Sequence, residues 1–115
     1  MKYVFLFCGT RSDQQAFDAL SPDDLQQRYA QVGRWFAENQ ARLGHGNQLQ
    51  GPDTGTTVRF GGGKPIIKDG LFLEGKEIVG GYTEVDVPDL DAALAMAKSW
   101  PGGGTIEIRP VIQQR

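Results

Sequence analysis

The sequence predicts an α+β fold of the ferredoxin-like type, in which two helices cover one face of an antiparallel sheet. Three observations carry this prediction: an apolar strand near the N-terminus, two helix patterns separated by β-rich sequence, and a final strand after the second helix. The order β-α-β-(extra hairpin)-β-α-β is most simply arranged as a split βαβ sandwich. A length of 115 residues suits a single domain, predicted here to span 1–115.

The first half of the chain contains the strongest helix signal. Residues 2–8 are an apolar run typical of a buried strand, and a polar loop is predicted from there to residue 20. Ser21 is suited to cap a helix, and Pro22 fits its first position. Apolar side chains then recur at spacings of four, three and four residues, which forms one stripe: Leu25, Tyr29, Val32 and Phe36. A helix over 22–43 is predicted, ended by Gly44.

The second half alternates between strand and helix signals. Residues 46–49 are a weak strand, and 56–60 and 65–68 are predicted to form a hairpin around three glycines. The longest predicted strand is 78–87, where Val79, Gly81 and Thr83 are expected on one face and Tyr82 and Glu84 on the other. A helix is predicted over 89–99 and a last strand over 105–112.

The face of the predicted sheet that carries no helix is expected to be shielded from water by another surface. Left open, it would expose residues such as Tyr82 and Val111 to water. Domains of this kind often bury such a face against a second copy, so the sequence predicts a homodimer that pairs sheet to sheet as an α+β barrel.

Composition limits the compartment and the partners. A net charge of −2 and a pI of about 5.3 argue against a nucleic-acid binder, which is usually basic. Cys8 is the only cysteine, which excludes an intrachain disulfide and favours a reducing compartment. The N-terminal apolar run is too short for a signal peptide, and no run is long enough to span a membrane. We expect a soluble cytoplasmic protein without membrane contact.

The usual catalytic and cofactor motifs are missing from the sequence. One histidine and one cysteine are too few for a zinc site of nitrogen and sulfur ligands. The run that ends at Lys64 lacks the spacing of a phosphate-binding loop. No metal site and no cofactor are therefore predicted.

Two groups of residues remain as candidates for catalysis or binding. His45 titrates near neutrality, although a solvated turn histidine is the simpler interpretation. The charged segment that begins at Asp69 contains Glu74 and Lys76, and the glycines that follow, Gly80 and Gly81, allow a ligand to approach the strand closely. A solvated loop or a dimer contact is the alternative for this segment.

A third group lies on the polar face of the two long strands. If these strands pair, Tyr82, Glu107 and Arg109 line a cleft that suits an anion or a carboxylate. The alternative is cross-strand ion pairing at the dimer seam. Trp35 and Trp100 fit a core, an interface or an exposed position equally well.

Three strings of residues resemble a known family. From Gly46 the chain reads Gly-x-x-Leu-x-Gly-Pro, and from Asp69 it reads Asp-Gly-Leu-Phe-x-Glu-x-Lys-Glu-x-x-Gly-Gly-Tyr. From Gly104 it reads Gly-Thr-Ile-Glu-Ile-Arg-Pro-Val. These strings resemble the YCII-related proteins of the Asp-Gly-Pro-Phe (DGPF) domain group. The resemblance implies a ferredoxin-like fold, a dimeric α+β barrel, a bacterial source and a link to sigma-factor regulation. The matching motif residues are Asp69, Gly70, Phe72, Glu74, Lys76, Glu77, Gly80 and Gly81.

The chain departs from this family pattern in two places. Leu71 replaces the proline of the name motif, so the turn is expected to be less rigid. More distant YCII proteins are suspected of catalysis through a histidine–aspartate pair near the first helix. The predicted helix here contains no histidine, so this role is not transferred, and His45 does not replace it.

Three functions are compatible with these features. The first is a dimeric module whose inter-sheet cleft binds a small, anionic ligand or a regulatory partner. The second is a cofactor-free acid–base enzyme of isomerase or lyase type, with Asp69 or Glu74 acting beside Arg109 and His45. The third is a structural protein without a pocket. The missing catalytic motifs favour the first.

Overall fold

The computed structural model describes residues 1–70 and 77–113. The strands are β1 (Lys2–Gly9), β2 (Leu43–Gln48), β3 (Thr56–Arg59), β4 (Ile66–Asp69), β5 (Ile78–Asp86) and β6 (Thr105–Pro110). The helices are α1 (Arg11–Asp18), α2 (Pro22–Glu38) and α3 (Leu90–Lys98), with short 3-10 turns at Gln40–Arg42 and Pro52–Thr54. In this part of the chain, no helix has both the length and the apolar character needed to cross a bilayer.

Four strands form the main sheet in the order β2-β5-β1-β6, and each neighbouring pair is antiparallel. β1 lies at the centre, where Phe5 pairs with Thr83 of β5 and with Ile108 of β6. The remaining two strands, β3 and β4, pair only with each other. This is the ferredoxin-like arrangement, which confirms the predicted fold class.

The helices cover one face of the sheet and enclose a small core. Its buried side chains come from both layers: Tyr3, Phe5, Val85 and Val87 beside Trp35, Ala93 and Met96. Trp35 joins α2 to α3 because its indole Nε1 donates to Ser99 Oγ at 2.9 Å. The structure thus places Trp35 in the core, while Trp100 is half-buried and packs against it.

Helix α1 was not expected from the sequence, which predicts two helices and a polar loop before residue 20. Its start is fixed by a capping box, in which Asp13 N donates to Thr10 Oγ1 and Thr10 N donates to the Asp13 carboxylate. The prediction was wrong here because the helix has only eight residues and buries none of them. Its sequence therefore lacks the apolar stripe by which longer helices are recognised.

Helix α2 is shorter than the predicted 22–43. It ends at Glu38, where the Asn39 side chain donates to the carbonyl oxygen of Trp35 at 2.8 Å. A 3-10 turn follows, and Leu43 already pairs with Val85 as the first residue of β2. Local hydrogen bonding by Asn39 thus competes with continuation of the helix.

A β-bulge near the start of β5 changes which face of the sheet each side chain there occupies. Phe7 pairs with Gly81, but Cys8 pairs with Val79, so Gly80 is an extra residue without a partner on β1. Such a bulge reverses the alternation of side chains beyond it. The sequence assigned Val79 to the same face as Gly81, whereas this register places Ile78 on that face.

The β3–β4 hairpin, residues 56–69, forms an arm outside the main sheet. Its turn contains three consecutive glycines with positive φ, Gly61 to Gly63, a conformation that side chains disfavour. The arm exposes apolar residues, among them Phe60 at 78% and Ile67 at 70% of their surface. The molecule measures 48 × 47 × 19 Å, which is flat for its length.

Candidate functional site

A cleft of about 1010 Å³ opens between the helices and the sheet. It is bounded by α1, by the side of α2 that carries Tyr29 and Phe36, and by residues of β1, β2 and β5. The sequence predicts a cleft on the opposite face, between two paired sheets. That inter-sheet cleft requires a second copy and stays a prediction. The cleft of the single chain is a different one, on the face that α1 and α2 cover.

Aromatic side chains line both sides of this cleft. Phe17 of α1 and Tyr29 of α2 form an edge-to-face pair with ring centroids 6.0 Å apart. Phe36, about two turns further along α2 than Tyr29, and Phe7 of β1 pack on Trp100, at centroid distances of 5.9 and 4.5 Å. Trp100 is held in turn by a hydrogen bond from its Nε1 to the carbonyl oxygen of Gly103, at 3.3 Å. The walls are therefore largely apolar and built from rings.

Two arginines line the same cleft. Arg28 is half-buried, and its Nη1 donates to the carbonyl oxygen of Gly102 at 3.1 Å. Arg11 is exposed at the first position of α1. Within residues 1–70 and 77–113, neither guanidinium forms an ion pair with a carboxylate. A guanidinium has five N–H donors, so both side chains retain donors that a bound anion can use.

Two carboxylates, Asp13 and Asp53, also line the cleft. The hydrogen bonds from the backbone and side chain of Thr10 hold the pKa of Asp13 below its ordinary value. Asp13 is therefore an anion at neutral pH whose oxygen is engaged in capping α1. This geometry gives Asp13 a structural role and leaves it poorly suited to accept a proton.

Cys8 lies at the edge of the cleft and is half-buried. Burial raises the pKa of its thiol, and the charges of Glu77 and Glu107 raise it further. The thiol is therefore protonated at neutral pH, and a thiolate nucleophile is disfavoured.

Glycines allow the strands to approach closely at the floor of the cleft. A Cβ atom at Gly46 would lie 2.6 Å from the Tyr82 carbonyl oxygen and 2.9 Å from Thr83 Oγ1. A Cβ atom at Gly81 would lie 3.1 Å from the Asn47 carbonyl oxygen. Side chains at these positions would push β2 away from β5 and change the shape of the cleft.

Three of the residues proposed from the sequence line the cleft: Tyr82, Gly80 and Gly81. Tyr82 pairs with Leu6, so its side chain lies on the helix-free face, where its hydroxyl accepts a hydrogen bond from Asn47 Nδ2 at 3.0 Å. The other members of this group, Glu107 and Arg109, belong to β6, which lies on the far side of β1 from β5. The two long strands do not pair, and the Arg109–Glu107 bridge of 3.4 Å forms within β6, largely exposed.

The acid–base candidates do not converge. His45 is exposed on β2, and its backbone N–H donates to Glu84 at 3.3 Å. Asp69 ends the arm, opposite Thr56, and is exposed. Glu74 and Lys76 lie outside the described residues. In the part of the chain that is described, no three carboxylate, histidine or cysteine side chains are grouped as a metal site would require.

Sequence reasoning missed most of the residues that line the cleft. Arg11 and Phe17 fall in the segment that the sequence predicts as a loop, and Arg28 lies beside the apolar stripe of α2, where no sequence pattern marks it. The one local signal was Thr10 with Asp13, three residues apart, which marks the start of a helix. The pairing of Phe17 with Tyr29 depends on tertiary structure and has no local signature.

Comparison with known proteins identifies the family. The model of the YCII-related domain matches residues 1–115. A protein of Rhizobium meliloti (strain 1021), named only as uncharacterised, is 29% identical over 115 residues, with 96% of this chain and 92% of that protein covered.

One solved structure is similar along almost its whole length. It is 5-chloro-2-hydroxyhydroquinone dehydrochlorinase from Burkholderia phenoliruptrix AC1100, in complex with 2,5-dihydroxybenzoquinone. The TM-score is 0.56 at 12% identity, with 99% of this chain and 96% of that chain covered. At this identity the likeness shows the fold alone.

Proposed function

The chain belongs to the YCII-related family, and we propose that it binds a small anionic ligand in the cleft between α1, α2 and the sheet. One observation carries the proposal: a cleft of about 1010 Å³ that contains two arginines without a carboxylate partner in the described chain. Ligand pockets usually measure ~300–1,000 Å³ and combine apolar walls with a few polar groups. The cleft is at the upper end of this range and has both features.

The positions of the two arginines favour an anion over a neutral ligand. Arg28 is fixed by its bond to Gly102, so little of its freedom remains to be lost on binding. Arg11 is exposed and lines the cleft, so it can attract and then contact a negative group. The solved dehydrochlorinase, which shares the fold, holds a small ring compound, and this adds support for a small-molecule site in this chain too.

Binding is preferred over catalysis because the acid–base groups are poorly placed. The cleft residues include no histidine in the described chain, since His45 lies elsewhere on β2. The Cys8 thiol is protonated at neutral pH, and Asp13 is engaged with Thr10. Neither Cys8 nor Asp13 is thus suited to act as a general base, which leaves Asp53 as the described carboxylate of the cleft that the enzyme alternative would need.

A thermal-shift screen of small organic anions tests the proposal. Binding to the folded state raises the melting temperature, so at least one anion is expected to stabilise the wild-type protein. Arg11→Gln should reduce that shift. Arg34→Gln is the matched control, because Arg34 is an exposed arginine of α2 that does not line the cleft. Equal shifts in both variants, or no stabilising anion, would contradict the proposal.

We also propose that two copies pair through the face of the sheet that carries no helix. Val4 and Leu6 are only half-buried on that face of β1, and the arm adds exposed apolar surface at Val58, Phe60 and Ile67. Exposed apolar surface of this kind is typical of a contact with another protein chain. A second copy supplies the same surface in return.

Light scattering of the purified protein at micromolar concentration tests the dimer. We expect twice the mass of one chain for the wild type and a single-chain mass for Leu6→Lys. Ala95→Lys adds the same charge to the exposed side of α3 and is expected to leave the dimer intact. A single-chain mass for the wild type would reject the dimer but leave the cleft proposal standing.

A further inference from the structure

The aromatic rings of the cleft remain accessible although such side chains are normally buried. Tyr29 is 54% exposed and Phe36 is 37% exposed, and both lie on the side of α2 that faces the cleft. Rings prefer edge-to-face or offset contacts with other rings. The exposed rings of Tyr29 and Phe36 and the half-buried ring of Phe17 therefore offer contacts that a ring of the ligand would complete.

Arginine and aromatic side chains line the same cleft. Arg28 precedes Tyr29 in α2, and Arg11 lies in α1, the helix that also carries Phe17. The Phe17 and Tyr29 rings are in edge contact, so α1 and α2 meet at an aromatic pair with one arginine on each helix. A ligand that contacts this pair is within the same cleft as both guanidinium groups.

From this juxtaposition we infer that the ligand is a planar aromatic carboxylate. Its ring packs against Phe17, Tyr29 and Phe36, and its carboxylate accepts hydrogen bonds from Arg11 and Arg28. A carboxylate has the geometry to accept two parallel bonds from one guanidinium. The inference rests on the proposed function, since it names the chemical class of the anion bound in the cleft.

Calorimetric titration with matched compounds tests the inference. Benzoate and cyclohexanecarboxylate carry the same charge and have nearly the same size, but only benzoate has an aromatic ring. Benzamide keeps the ring and lacks the charge. We expect benzoate to bind about tenfold more tightly than either of the other two compounds.

Two variants assign the parts of the ligand to the parts of the cleft. Arg11→Gln is expected to weaken benzoate about tenfold and to leave benzamide unchanged, because it removes only the charge contact. Tyr29→Leu keeps an apolar side chain on α2, and it should reduce the preference for benzoate over cyclohexanecarboxylate. Arg34→Gln is expected to match the wild type in every titration.

The outcomes separate the inference from the proposed function. Equal affinity for benzoate and cyclohexanecarboxylate, with both weakened by Arg11→Gln, overturns the aromatic inference and keeps the anion site. No heat from benzoate or from 2-naphthoate at millimolar concentration also overturns the inference, and the aliphatic anions of the thermal-shift screen then decide the proposed function. Binding that Arg11→Gln leaves unchanged contradicts both.

Discussion

The two faces of the main sheet differ in how they use the same strands. On the helix-covered face, Tyr3, Phe5 and Val85 are buried and pack against α2 and α3. On the other face, Val4 and Leu6 of the same strand are only half-buried. Val4 lies between Glu84 and Arg109, and Leu6 lies between Tyr82 and Glu107. The strict alternation of β1 therefore divides one apolar sequence between a core and a surface.

The helix-covered face is itself divided in two. Near α3 it carries the buried core, and a smaller cavity of about 290 Å³ remains between α3 and β6. Near α1 it is open, because α1 buries none of its residues and the adjoining ends of β2 and β5 are rich in glycine. The cleft therefore lies where few helical residues cover the sheet. The core that stabilises the fold and the cleft proposed to bind a ligand occupy different ends of the same face.

The largest expected effect comes from the filled part of the core. Phe5→Ala should lower the free energy of unfolding by about 3–5 kcal/mol, because it removes a fully buried ring at the centre of β1. Leu6→Ala, one residue away on the other face, should cost only about 1–2 kcal/mol. Urea unfolding of both variants measures the contrast. Because the proposed dimer would also bury Leu6, the contrast applies to the single chain and is measured at a concentration at which light scattering shows no dimer. Similar losses there would contradict the difference between the two faces.

A smaller effect is expected where β2 meets β5. Gly46→Ala places a Cβ atom against Tyr82 and Thr83, and it should lower the free energy of unfolding by about 1–3 kcal/mol. Gly33→Ala is the control: this glycine is in α2 with no atom within 4 Å of an added Cβ, and the change should stabilise by about 0.5–1 kcal/mol. If both variants are stabilised, β2 and β5 are not in close contact as described.

The smallest expected effect is on the pH dependence of the free energy of unfolding, through Asp13 at the start of α1. The pKa of Asp13 is lowered by Thr10, so the folded state gains stability when this carboxyl is ionised. That gain is present above the ordinary value of 3.8 and is lost as the pH falls through the lower folded value. Asp13→Asn should therefore flatten the decrease of stability between about pH 5 and pH 2. An unchanged profile in urea unfolding would exclude the capping role.

The fold could be predicted from the sequence because its main elements carry local signals. Ser21 with Pro22 marks the start of α2, and the alternation around Val85 marks β5. The cleft could not be predicted in the same way. It depends on α1, whose only mark is the Thr10–Asp13 capping box, and on the β-bulge at Gly80, which moves the Val79 side chain to the other face of the sheet. The contact of Phe17 with Tyr29 joins two helices and has no signature in either.

The central claim is that a ligand binds on the helix-covered face. Nuclear Overhauser contacts between isotope-labelled protein and the anion that binds most tightly in the screen test it directly. The account predicts contacts from the ligand to the side chains of Phe17, Tyr29 and Trp100. Contacts to Val4 and Leu6 instead would place the ligand on the opposite face of the sheet and contradict the account.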